Sequence, residues 1–173
     1  MMMTRNINVR WLQVAVFVLL STTVFAQSSP PSGVLAVSAP GRAEPLKLSM
    51  NDLKAMPHIT VTFHNSHSNA DENYSGVRLA DILSKVGAPL GGELRGKALA
   101  DYVVATGSDG YQAVLALGEV DPGFHPGEVI VSDAMDGKPL DAHSGPLKLV
   151  VSEDKRPARC VRNLAEVDLK TMK

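Results

Sequence analysis

A single cysteine, Cys160, occurs in the chain, so no internal disulfide can form and packing alone must hold the fold. No basic tract is present. Lys and Arg number 17 against 18 Asp and Glu, a formal charge of −1, which speaks against nucleic acid as the partner. Beyond residue 26 no apolar run approaches the length of a membrane span. Internal repeats, low-complexity tracts and Walker-type phosphate loops are also missing, and no Ser-His-Asp or paired-carboxylate arrangement is legible from spacing.

The first 26 residues stand apart. Arg5 and Arg10 form a basic start, WLQVAVFVLL is a short apolar core, and VFA precedes QSS. These are the marks of a secretory signal peptide, and they imply a periplasmic or secreted protein. Without Arg5 and Arg10 the balance is 15 basic against 18 acidic residues, a net charge of −3. Residues 27–32 read as a Ser/Pro linker. The remaining segment, 33–170, has the size of one domain and can bury roughly 70% of its unfolded surface without staples.

Along that domain, VLAVSA and LKLS read as strands, and Ser49 or Asn51 can cap a helix that begins at Leu53 and Met56. HITVTFH alternates Ile59, Val61 and Phe63 with Thr60 and Thr62, the pattern of a half-buried strand. It runs into a polar segment read as a loop, HNSHSNADEN. Leu79, Ile82, Leu83 and Val86 then fall at i, i+3, i+4 and i+7, one stripe of an amphipathic helix that Gly87 and Pro89 end. GAPLGGELRGKAL reads as loop, and ADYVVATGSDGYQAVLAL as a hairpin turning at Asp109-Gly110. VIVSDAM and LKLVVS are further strands, with a helical turn near LGEVD. In the closing strand, CVRNLAEVDLK, Val161, Ala165, Val167 and Leu169 share one face. About seven or eight strands and two or three short helices without βαβ alternation predict an α+β domain.

The order of five segments adds a family reading. YSGVRLADILSKVG, DGYQAVLALGEVDP, DGKPL, HSGPLKLVV and KRPARCVRNLAEVDL together resemble the oxidoreductase molybdopterin-binding domain, the fold of the sulfite oxidase group. The resemblance spans roughly residues 33 to 170. It implies a mixed β-sheet core in three layers and a molybdopterin cofactor. In that family molybdenum is held by dithiolene sulfurs and one protein thiolate, a soft ligand suited to a redox metal. The family's cysteine lies between the TVT-type strand and the aromatic-x-Gly-Val segment. Here that stretch is HNSHSNADEN, which has no cysteine. Cys160 lies instead in the closing strand, where similar short members often carry an aromatic residue. The leading expectation is an exported ligand-binding or accessory module without its own molybdenum thiolate. The alternatives are an active molybdopterin-dependent oxidoreductase with atypical ligation and a histidine-based metal-binding protein.

The residues expected at a cofactor or ligand site are His64, His67, Tyr74, Arg78, His143 and Arg159. His64 and His67 can converge only across a turn, where Asp71 or Glu72 would complete a minimal metal set; otherwise they belong to a solvated loop. By the resemblance, His143 matches the family's histidine before Gly-x-Pro-Leu, with a hydrogen-bonded turn as its alternative role. Lys155, Arg156, Arg159 and Arg162 form the densest basic cluster, and arginine forks suit an anion such as sulfate or a pterin phosphate. Arg78 adds to that reading at the expected helix start, and Tyr74 packs at the junction. Cys160 is either a thiol activated by Arg159 and Arg162 or a quiet strand residue. The expected partners are a small anionic ligand or pterin and a periplasmic protein.

Overall fold

The computed structural model describes residues 33–66 and 68–172. Residues 1–26, read above as a signal peptide, the whole of the linker 27–32, His67 and Lys173 lie outside the described residues. Ten strands, three short α-helices and three 3-10 turns follow in the order β1 (Val34–Ser38), β2 (Leu46–Ser49), α1 (Met50–Lys54), β3 (His58–Asn65), β4 (Ala70–Arg78), α2 (Leu79–Ser84), β5 (Tyr102–Gly107), β6 (Gln112–Ala116), α3 (Leu117–Val120), β7 (Val129–Met135), β8 (Lys138–Pro139), β9 (Lys148–Val151) and β10 (Leu164–Lys170). The 3-10 turns span Gly91–Glu93, Gly96–Ala100 and Pro157–Arg159. The α+β class expected from the sequence is the one observed.

Two five-stranded sheets carry the fold. The first has the order β2-β1-β10-β5-β6 and is mixed, because β1 and β10 run parallel while its other pairs are antiparallel. The second has the order β3-β4-β7-β8, with β9 also paired to β7. In this sheet every pairing is antiparallel. Period-two alternation sends Leu35, Val37, Val103, Ala105, Leu115, Val167 and Leu169 of the first sheet into one apolar cluster. Val77, Val129, Val131, Leu149 and Val151 of the second sheet join the same cluster, as do Leu79, Ile82 and Leu83 of α2. The helical stripe read from the sequence is therefore the face that α2 buries. Ser49 caps α1 in a capping box with Asp52, the Ser49 N–H donating to Asp52 Oδ2 at 2.8 Å and the Asp52 N–H to Ser49 Oγ at 3.2 Å.

The second sheet is covered on its other face as well. Val61, Phe63, Tyr74, Ile130, Val150 and Cys160 form a separate buried cluster there, with Ile59 and Leu140 packed against it. Phe63 is 2% exposed, and burial of such a ring is worth roughly 2–3 kcal/mol.

Two local readings of the sequence are corrected. HNSHSNADEN is not an open loop. β3 and β4 pair from His58↔Val77 to Asn65↔Ala70, leaving a short turn in which Asn69 takes φ +52°. The composition misled because one face of this ribbon is solvated, and polar pairs replace apolar ones across it: Thr62 Oγ1 donates to Asn73 Oδ1 at 2.9 Å, and His64 pairs with Asp71 at 2.7 Å. Consequently α2 begins only at Leu79, and Arg78 ends β4. Second, Cys160 and Val161 are not strand residues. Pro157 opens a 3-10 turn, Asn163 adopts φ +49°, and β10 starts at Leu164.

Gly76 holds the centre of the second sheet together. The register of β4 on β7 shifts between Ser75 and Gly76, opposite a bulge at Asp133. A Cβ on Gly76 would stand 2.5 Å from Ser132 Cα and still nearer the Val131 carbonyl oxygen. Ser132, fully buried, directs its hydroxyl at Ser75 O at 2.8 Å and Ala134 O at 2.9 Å. Gly76→Ala should thus destabilise by about 1–3 kcal/mol, the usual cost of overpacking. Urea unfolding would show it as a lower midpoint with unchanged slope, and an unchanged midpoint would refute the close approach.

Candidate functional site

One face of the second sheet changes along its length from apolar to polar. On β3, alternation puts Val61, Phe63 and Asn65 on that face, and on β4 it puts Glu72 and Tyr74 there. β9 contributes Val150 and, at its first position, Lys148. Asn65, Glu72 and Lys148 therefore gather at the border of the small apolar cluster, with the buried Tyr74 between them.

These four side chains form one directed hydrogen-bond path. Lys148 Nζ donates to Tyr74 Oη at 2.5 Å and lies 4.2 Å from the centroid of the same ring. Tyr74 Oη donates to Glu72 Oε2 at 2.7 Å, and Asn65 Nδ2 donates to Glu72 Oε1 at 2.7 Å. Burial, followed by the hydrogen bond to Glu72, holds the Tyr74 phenol far above its ordinary range, so it stays protonated. Burial also lowers the tendency of Lys148 to carry its proton, against the opposing pull of Cys160 and Glu72. Among the described residues no carboxylate forms an ion pair with Lys148.

Above this path lies a cavity of about 490 Å³, walled by Asn65 and Lys148, by Pro157, Cys160 and Arg162, and by Asp109 and Tyr111 of the β5–β6 turn. Tyr111 Oη donates to Ala158 O at 2.5 Å and ties that turn to the 3-10 segment before Cys160. Arg162 reaches the cavity while one of its Nη atoms contacts His143 Nε2. Cys160 is 8% exposed, and burial pushes its thiol pKa up, outweighing the lowering by Val151 and Lys148. It is a neutral thiol at the edge of an apolar cluster, not an activated one.

The expected site residues disperse. Tyr74 sits at the heart of the arrangement. His143 reaches it through Arg162, and its own N–H and that of Ser144 donate to Asp141 Oδ1 at 3.2 and 2.8 Å in a turn. His64 lies on the opposite, solvated face of β3, paired with Asp71. Arg78 donates through Nε to both oxygens of Glu128 at 3.0 Å. Arg159 is held by Asp154 at 2.6 Å and Glu119 at 2.8 Å. Those bonds raise the pKa of its guanidinium. Burial works against the charge on Glu119, yet the Arg159 and Ala116 hydrogen bonds keep its carboxyl below the usual range. Neither Arg78 nor Arg159 lines the cavity. Among the described residues no three His, Cys, Asp or Glu side chains come together as a metal site.

Sequence reading did not single out Asn65 or Lys148, and it treated Arg162 only as part of a basic cluster. The available signal was Lys148 itself, a cation within the apolar run LKLVV whose other residues are all buried. The burial of Cys160 has a direct consequence. At pH 8 its alkylation by iodoacetamide should run at least about tenfold slower in the folded chain than in urea, since both thiolate fraction and access are reduced. Equal rates would place the thiol in solvent.

A family model described as the oxidoreductase molybdopterin binding domain matches residues 34–172. No curated protein matches the chain. Among solved structures, the chain resembles the sulfane dehydrogenase SoxCD from Paracoccus pantotrophus, with a TM-score of 0.60 and 16% identity over 80% of this chain. The match covers 39% of that chain's length. At this identity the likeness speaks for the fold.

Proposed function

The chain belongs to the oxidoreductase molybdopterin-binding domain family and has its sulfite-oxidase-type α+β fold, and from that premise we propose that it is a ligand-binding or accessory module that carries no molybdenum thiolate of its own. The observation that carries this reading is the β3–β4 hairpin. In the stretch where the family places its metal-binding cysteine, this chain presents Asn65 to the cavity, with Glu72 beside it, hard donors already joined to each other and to Tyr74. Molybdenum in this family calls for a soft sulfur ligand. The cavity's one thiol, Cys160, comes from a different segment and is held neutral by burial. The residues present do not fit a protein-ligated molybdenum.

The same cavity suits a small anion. Lys148 has no ion-paired carboxylate among the described residues, and Arg162 brings a second cation to the wall, while Asp109 is the one acidic residue lining it. Arginine supplies a planar pair of donors and lysine a point charge, a combination that holds a carboxylate, sulfate or phosphate group. The basic start and apolar run of residues 1–26 support export, so the ligand would be met outside the cytoplasm.

Two measurements test the reading. Full-length protein from a molybdenum-replete host should hold far less than one molybdenum per chain by elemental analysis, and a stoichiometric signal would overturn the module. Calorimetric titration with sulfate, phosphate and small carboxylates should give binding that Lys148→Met or Arg162→Met weakens at least tenfold, about 1.4 kcal/mol. Because burial lowers the Lys148 pKa, its charge is present at low pH and is lost as pH rises through a value below the ordinary lysine range near 10.4. Anion affinity should therefore fall on the alkaline side before free lysine would titrate. No binding to any anion would remove the small-ligand reading and leave a protein partner as the module's target.

A further inference from the structure

We propose that Lys148 captures carbonyl compounds: its amine forms an imine with a small aldehyde or 2-oxo acid whose carboxylate is held by Arg162. The proposal rests on the anion-binding reading of the cavity and names the class of ligand it takes.

A lysine becomes a useful nucleophile when it is desolvated, lacks a carboxylate partner and has somewhere to send its proton. Lys148 meets all three conditions. It opens a strand whose other residues are buried, it lines a cavity of about 490 Å³, and its hydrogen-bond acceptor is a phenol and not a carboxylate. The phenol is directional. Tyr74 accepts from Lys148 at 2.5 Å and donates to Glu72 at 2.7 Å, so a proton leaving Nζ has a two-step path to a carboxylate. Asn65, bonded to the other oxygen of Glu72, keeps that carboxylate in place. The neighbouring positive charge of Arg162 further disfavours the ammonium form.

The reaction balances without an oxidant or reductant. Nζ attacks the carbonyl carbon, the C–N bond forms, and the carbonyl oxygen becomes a hydroxyl. Two of the three ammonium protons leave with that oxygen as water when the C–O bond breaks, and the product is an iminium that keeps the third. Glu72, through Tyr74, holds a proton between the two stages. Cys160 does not compete, because its buried thiol is neutral. The cavity has room for a molecule of a few carbons, and Arg162 can hold the carboxylate end through its guanidinium.

Reductive trapping tests this. The full-length protein is treated with glyoxylate and cyanoborohydride, then analysed by intact mass and peptide mapping. The expected result is one reduced adduct per chain, at Lys148, formed at least about tenfold faster than at any surface lysine. Excess sulfate should protect Lys148 in the unaltered protein, a readout independent of any variant's folding. Lys148→Arg should abolish the adduct while keeping the charge. Arg162→Met should slow trapping by glyoxylate more than by propionaldehyde, which has no carboxylate. Labelling spread evenly over surface lysines would overturn the proposal. If sulfate binds but no Lys148 adduct forms, imine capture fails and the anion site stands; if sulfate does not bind either, both fall.

Discussion

The hydroxyl of Tyr74 is the joint on which the site depends. It is buried where the apolar cluster of the second sheet gives way to polar residues, and it must be satisfied there, because an unpaired buried hydroxyl costs about 1–3 kcal/mol. Glu72 accepts its hydrogen bond and Lys148 donates one to its oxygen, so one group anchors a carboxylate to one strand and a cation to another. β4 and β9 do not pair with each other, since each lies along β7. Their polar side chains meet only because β7 holds the two strands on the same face.

That arrangement explains why a cation can remain in a half-buried wall. Removing an ammonium from water is costly unless hydrogen bonds and nearby charge compensate. The phenol oxygen and the face of the Tyr74 ring do part of this, a contact of the cation–π kind worth on the order of 1 kcal/mol. By contrast, Arg78 and Arg159 are satisfied by carboxylates and act as clasps between segments. Arg159 ties the 3-10 turn before Cys160 to Glu119 of α3, and Arg78 ties the end of β4 to Glu128 just before β7. Three arginines of similar appearance in the chain thus divide into two braces and one that reaches a cavity.

Much of the domain was legible. β1, β3 and the β5–β6 hairpin follow from alternation and turn chemistry, β7 from its apolar run, and the face of α2 from the spacing of Leu79, Ile82 and Leu83. β4 was not legible, because its outer residues pair polar side chain to polar side chain and its composition is that of a loop. Nor was the break at Asn163, since a left-handed asparagine leaves no mark on an apolar alternation that continues through Ala165 and Val167. The family resemblance, carried by motif order over roughly residues 33 to 170, spans nearly the same stretch as the 34–172 that the family model matches.

By itself the sequence determined the α+β class, the family, the single thiol and the absence of cysteine from the HNSHSNADEN stretch. Those properties reside in composition, local period and the order of motifs, which need no partner in space. Only the tertiary structure decided which charges are free to meet a ligand. Arg78 and Arg159 look available in the chain, but folding brings Glu128, Asp154 and Glu119 to them from 50, 5 and 40 residues away. Lys148 looks like an ordinary strand residue, yet folding sets it against Tyr74, 74 residues distant, and beside a cavity. Whether a charge is spent within the protein depends on its neighbours in space, and the packing of segments against one another, not sequence spacing alone, chooses them.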